Sequence, residues 1–228
     1  MHESELLHFA KHNLHTIALI FMVIVYSVRL IWLFRFMPMK ERQARTGRLT
    51  TNANKGSVYS LFNIFMPWAM ESTRTNLFFY FQFGLFHIGI AIALCLSFII
   101  VYIPQILTPN VVKFMQTLLV CAFIIGCIRI IRRIFSPAMR AISSPDDYFS
   151  LTLITIWLAF AFFAAPNSTA NGEFHLLSYL FITSFLIVYV PFSKISHYLY
   201  YPITRYYLGK SLGNRGVYPL ERNKKKIA

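Results

Sequence analysis

Two histidines, His87 and His197, lie within long apolar runs of this 228-residue chain, where ionisable side chains are rare. The run around His87 reads QFGLFHIGIAIALCL, and the run around His197 covers 176–202 and also contains Lys194. An ionisable residue inside a membrane span marks a functional site by default. Two neutral imidazoles from separate helices are the usual axial ligands of a six-coordinate b-type haem, so we expect both to bind haem iron. The alternative is a pair of buried histidines that hydrogen-bond to neighbouring helices.

The residues near these two histidines suit a large flat cofactor. Gly84 and Ala91 lie one helical turn on either side of His87 and would leave room for a macrocycle against the helix. Four cations of the same region would suit the haem propionates, namely Arg29, Arg129, Arg132 and Lys194.

Other polar residues lie at the opposite ends of the apolar runs. Three histidines there, His12, His15 and His175, could form a second haem site, although surface histidines would explain the same pattern. Lys113 could contact a quinone, or it could be a lysine that extends to the membrane surface. No CxxC or CxxCH motif occurs, so we expect neither iron–sulfur ligation nor covalent c-type haem.

The elements that must position these residues are membrane spans. The chain is 57% apolar and 17% aromatic, with a mean hydropathy of +0.54, which is typical of a membrane protein with several spans. The apolar runs predict an all-α bundle of five transmembrane helices in a single domain, over about 14–36, 77–103, 111–131, 148–165 and 176–202. The segment 57–73 predicts either a helix in the membrane interface or a loop packed on the bundle.

The positive charges predict the orientation of these spans. All but three of the 22 Lys and Arg residues fall in the connectors 37–76 and 132–147, in the tail 203–228, or in the flanks of these segments. The exceptions are Lys11, Arg29 and Lys113. The positive-inside rule therefore predicts a cytoplasmic C-terminus and an N-terminus outside the cytoplasmic membrane. Because the net charge of +14 is concentrated at these connectors, it does not indicate nucleic-acid binding.

Three motifs resemble a known family. LFHIGI at 85–90, RRIFSPAMRA at 132–141 and PFSKISH at 191–197 are similar to the gamma subunit of respiratory nitrate reductase, a five-span di-haem cytochrome b. The resemblance covers roughly 77–210 and implies that His87 and His197 ligate the haem nearer the cytoplasm. The family's ligands for its outer haem are replaced here by Ser97 and Tyr179, so the resemblance implies that this haem is absent in its usual form. Similar cytochromes occur in membrane complexes of sulfate reducers and in the heterodisulfide reductase of methanogens.

The sequence therefore predicts a b-type haem subunit of a respiratory redox complex, with one haem or two. Such a subunit would relay electrons between a quinol, such as menaquinol, or a periplasmic multihaem cytochrome c and a cytoplasmic iron–sulfur subunit. Other membrane subunits would accompany it, and the substrate chemistry would reside in these partners. The alternative is a non-haem anchor or a small proton-conducting or transport subunit.

Overall fold

The computed structural model describes residues 3–36, 51–69 and 71–220, without the side chain of Ser72. These residues are mostly helical and contain no strand. The helices are α1 (Glu5–His8), α2 (His15–Arg35), α3 (Ala53–Phe62), α4 (Glu71–Thr75), α5 (Leu77–Tyr102), α6 (Pro109–Phe135), α7 (Pro137–Ile142), α8 (Pro145–Ala164), α9 (Phe174–Tyr189) and α10 (His197–Asn214). The basic segment 37–50 and the end of the tail, 221–228, lie outside the described residues.

Within the described residues, five helices are long and apolar enough to cross a membrane, which confirms the predicted all-α bundle. The candidate spans are Glu5–Arg35, Leu77–Tyr102, Pro109–Phe135, Pro145–Ala164 and Phe174–Phe192. The first span is longer than predicted because α1 and a π-helical stretch, Phe9–Leu14, continue into α2 without a break. Proline fixes two of the other starts, since Pro109 and Pro145 occupy first-turn positions where no amide hydrogen is needed.

The last span is shorter than the sequence predicted. The apolar run extends to 202, but α9 ends at Tyr189 and a 3₁₀ turn, Val190–Phe192, closes the span. Pro191 has no amide hydrogen to continue the helix, and Ser193 adopts an extended backbone with a ψ of 171°. Lys194 and His197 consequently follow the span instead of lying within it.

The chain divides into two compact units. The single domain expected from the sequence stays a prediction. The bundle unit comprises Met1–Phe34 and Phe81–Ile195, and the α3/α10 unit comprises Arg35–Tyr80 and Ser196–Ala228. The bundle unit contains the main apolar core, in which Leu96, Leu119, Leu158 and Leu180 from four different helices are fully buried. The α3/α10 unit contains α3 and α10, which pack along each other, together with α4 and the first turn of α5.

Candidate functional site

His87 is a half-buried residue of α5 whose orientation is fixed by its own helix. Its Nδ1 lies 2.8 Å from the carbonyl oxygen of Phe83, one turn earlier. A carbonyl oxygen only accepts, so Nδ1 carries the hydrogen and, in the neutral ring, Nε2 carries the lone pair. A metal-binding histidine characteristically donates its second ring nitrogen to a carbonyl or carboxylate in this way. His87 therefore has the tautomer that an Nε2 ligand needs.

The helix surface next to His87 is open. A methyl group added at Gly84, one turn before His87, would meet no other atom within 4 Å. On the same helix, a methyl group at Gly89 would lie only 2.2 Å from Cβ of Ala122. Gly89 is thus required for close contact between α5 and α6, while Gly84 leaves space beside the imidazole.

Cations occur at the end of the bundle unit that contains His87, which we call the basic half. The Arg129 guanidinium lies 4.8 Å from the ring centroid of Phe86, the residue before His87. Arg132, one turn further along α6, is exposed. Arg29 donates a hydrogen bond to the carbonyl oxygen of Pro191 and lies 5.2 Å from the Phe192 ring centroid, so it joins α2 to the end of α9.

Lys194, a predicted propionate contact, forms an ion pair with a carboxylate. Its Nζ lies 2.8 Å from Oδ2 of Asp147 and 2.7 Å from Oγ of Ser144, at the start of α8. Asp147 also accepts from the amide of Ser144, which forms the N-terminal cap of α8. Sequence reasoning missed this pairing, although the chain has only eight carboxylate residues and two of them are Asp146 and Asp147.

The opposite end of the bundle unit, which we call the N-terminal half, is closed by side chains. Ser97 and Tyr179, the two positions where the resemblance places ligands of an outer haem, are fully buried. The Tyr179 hydroxyl donates to the carbonyl oxygen of Ala93, and its ring stacks on Trp157. Side chains of the bundle pack around these two positions.

His15 occupies the same buried region from the first span. Its Nε2 lies 3.3 Å from Oγ of Ser97, and its ring meets Phe98 edge-on. Because the Ser97 hydroxyl donates to the carbonyl oxygen of Leu94, Ser97 accepts from Nε2–H of His15. The other nitrogen, Nδ1, is buried with no hydrogen-bond partner.

The other predicted site residues of this half lie at its surface. His12 is exposed with its ring 4.8 Å from that of His8, and His175 is exposed and stacks on Phe163. Lys113 is exposed in the first turns of α6. Among the described side chains, no group of three or more His, Cys, Asp or Glu could hold a metal ion. The proposed cluster of His12, His15 and His175 therefore does not appear as such a group.

His197 is the first residue of α10 and is exposed in the α3/α10 unit. It and His87 thus belong to different compact units. Its pairing with His87 stays a prediction from the sequence.

No known family model and no curated protein matches this chain. The resemblance to the nitrate reductase gamma subunit accordingly stays a prediction.

Proposed function

We propose that this chain is a membrane cytochrome b subunit that relays electrons in a respiratory complex. The observation that carries the proposal is the arrangement at His87, whose Nδ1–H is bonded to Phe83 while Gly84 leaves open space beside the ring. A ligating imidazole needs both the defined tautomer and room for a macrocycle. His197 supplies the second imidazole in this proposal, as the resemblance implies.

Haem iron held by two imidazoles carries one electron by cycling between its ferrous and ferric states. The chain's own residues bind and orient the cofactor. His87 is held at a fixed angle by its bond to Phe83, and Arg129 and Arg132 provide positive charge for the propionates. Lys194 is paired with Asp147, so we no longer assign it that role.

The membrane, the orientation and the partners in this proposal are those that the sequence predicts. The spans lie in the cytoplasmic membrane with the basic half toward the cytoplasm. An iron–sulfur subunit exchanges electrons at this side, and a quinol or a periplasmic cytochrome does so at the other side. A haem in the basic half leaves much of a hydrocarbon layer of about 30 Å to be crossed, so a quinone or a neighbouring subunit completes the route.

The test is the haem b content of the purified full-length chain, measured as pyridine haemochrome per polypeptide. We expect a reduced b-type spectrum, and we expect it to be lost in His87→Ala and in His197→Ala. His8→Ala is the matched control, because His8 is an exposed histidine of the N-terminal half. Absence of haem b from the wild-type protein, or its full retention in His87→Ala, would overturn the proposal.

A further inference from the structure

Helix α3 has its polar and apolar faces reversed relative to a helix in a water-soluble protein. Its buried face consists of Gly56, Ser57 and Ser60, and Asn63 continues that face into the next turn. The apolar residues Val58, Phe62 and Phe65 are more than half exposed, and they follow one another at helical spacing. In water this arrangement would expose a continuous apolar stripe, which a soluble monomer avoids.

The partner helix α10 packs in the manner of membrane helices. A methyl group added at Gly56 would lie 2.4 Å from the carbonyl oxygen of Gly209, so the two backbones are in direct contact. Gly213 continues the same small-residue seam one turn later. The Arg205 guanidinium donates to the carbonyl oxygen of Ser60 and to Oδ1 of Asn63, at 3.0 and 2.6 Å. Small residues and buried polar contacts hold helices together where water is absent.

One hydrogen bond joins the turn after α3 to the start of a candidate membrane span. The hydroxyl of Tyr80, in the first turn of α5, donates to the carbonyl oxygen of Ile64 at 2.9 Å. Ile64 lies in the 3₁₀ turn Asn63–Phe65 that directly follows α3. The candidate span begins at Leu77, so this bond joins the turn after α3 to the first residues of that span.

The exposed face of α3 also forms an open apolar groove of about 540 Å³. Val58, Tyr59, Phe62 and Met66 line it, and Pro219 closes one side. Lys55 and Asn54 line the part of the groove that belongs to the first turn of α3. Lys55 is exposed, and the described part of this unit contains six Lys or Arg residues but a single carboxylate, Glu71.

We propose that the α3/α10 unit binds an anionic phospholipid. Its acyl chain lies in the groove along Val58, Phe62 and Met66, and Lys55 binds its phosphate. The reversed polarity of α3 requires an apolar medium around it, the bond to Tyr80 joins the turn after α3 to the start of a candidate span, and the positive charge selects an anionic headgroup. This proposal is independent of haem binding.

The first test measures lipid that stays with the protein. The full-length chain is purified in mild detergent from membranes that contain phosphatidylglycerol, and the retained lipid is counted by mass spectrometry. We expect Lys55→Gln to retain about fivefold less phosphatidylglycerol, since one lysine at an anionic surface contributes about 1 kcal/mol. Lys210→Gln is the matched control, because it removes the same charge from an exposed position of α10 outside the groove. Equal losses in both variants would mean non-specific attraction and would overturn the site.

The second test asks what covers the apolar face. A nitroxide is attached at Phe62→Cys in a chain whose native Cys95, Cys121 and Cys127 are serine, reconstituted in phosphatidylcholine vesicles with phosphatidylglycerol. We expect relaxation by oxygen, as at the reference position Ile156→Cys on the exposed side of α8. Relaxation by a water-soluble nickel complex would show an aqueous face. Protection from both reagents would show a protein partner. Either result would overturn the lipid assignment.

Discussion

The two halves of the bundle unit are built from the same five helices but differ in what their interiors can accept. In the N-terminal half, His15, Ser97 and Tyr179 are fully buried. His15 bonds to Ser97 of α5, and Tyr179 of α9 bonds to the backbone of α5. In the basic half, α5 carries a half-buried His87 beside the open space at Gly84. The second region has open space for an added side chain at Gly84, beside His87, whereas Ser97 and Tyr179 of the first region are fully buried.

The largest contrast should come from two glycine substitutions in α5, one on each side of His87. Gly89→Leu should prevent assembly, because even its first carbon would overlap Ala122, and interiors tolerate little overpacking. Gly84→Leu should assemble but lose haem b, since the leucine fills the space beside His87. Size-exclusion chromatography reports the first effect and the reduced spectrum reports the second. A Gly84→Leu protein with its full haem content would show that this space is not the cofactor site.

Truncation of Tyr179 should strongly lower the stability of the N-terminal half. Tyr179→Ala removes a fully buried ring and its hydrogen bond to Ala93, so we expect a loss of about 3–5 kcal/mol in the free energy of unfolding. Phe181→Ala, two residues along α9 with a side chain 39% exposed, is the control and should change it little. Thermal unfolding in detergent compares the two variants. Similar melting temperatures for both would mean that this half is not tightly packed.

His15→Phe tests whether the N-terminal half holds a second cofactor. The substitution keeps a ring against Phe98. It removes the hydrogen bond from Nε2 to Ser97 but also the buried Nδ1 that has no partner, so the two effects offset and stability should change by only about 1 kcal/mol. Haem content per polypeptide should also be unchanged. A fall from two haems to one would identify His15 as a ligand of a second haem and would reverse our view of this half.

The smallest effect should come from the surface of the N-terminal half. The hydroxyl and amide of Ser4 both donate to Glu173, and these bonds hold the pKa of the Glu173 carboxyl below its usual value. A lowered pKa in the folded state stabilises the protein above the unfolded-state pKa of about 4.3, and this stabilisation is lost as the pH falls through the folded-state pKa. Glu173→Gln should therefore melt slightly below the wild type at pH 7, and the difference should shrink in acid. A difference that grows in acid would contradict the lowered pKa of the Glu173 carboxyl.

The sequence predicted the five spans because hydropathy and length suffice for that purpose. It misplaced the end of the last span because the apolar run continues past Pro191, and only the backbone at Ser193 reveals the break. It did not predict the pairing of Lys194 with Asp147, since Asp147 is distant in the sequence and approaches only when α8 packs against α9. The tautomer of His87 depends on local helix geometry, which residue types alone do not supply.

The reversed polarity of α3 has a consequence for biogenesis. The polar seam of α3, with Gly56 and Ser60, is covered by α10, yet four of the five candidate spans lie between the two helices in the chain. At translation rates of about 5–20 residues per second, α3 waits on the order of ten seconds for α10 to emerge. During that interval α10, which covers this face, has not been synthesised. Closure of this helix pair is thus a late event that follows synthesis of the last span, and a chain truncated before α10 would present an unpaired α3 to the quality-control machinery of the membrane.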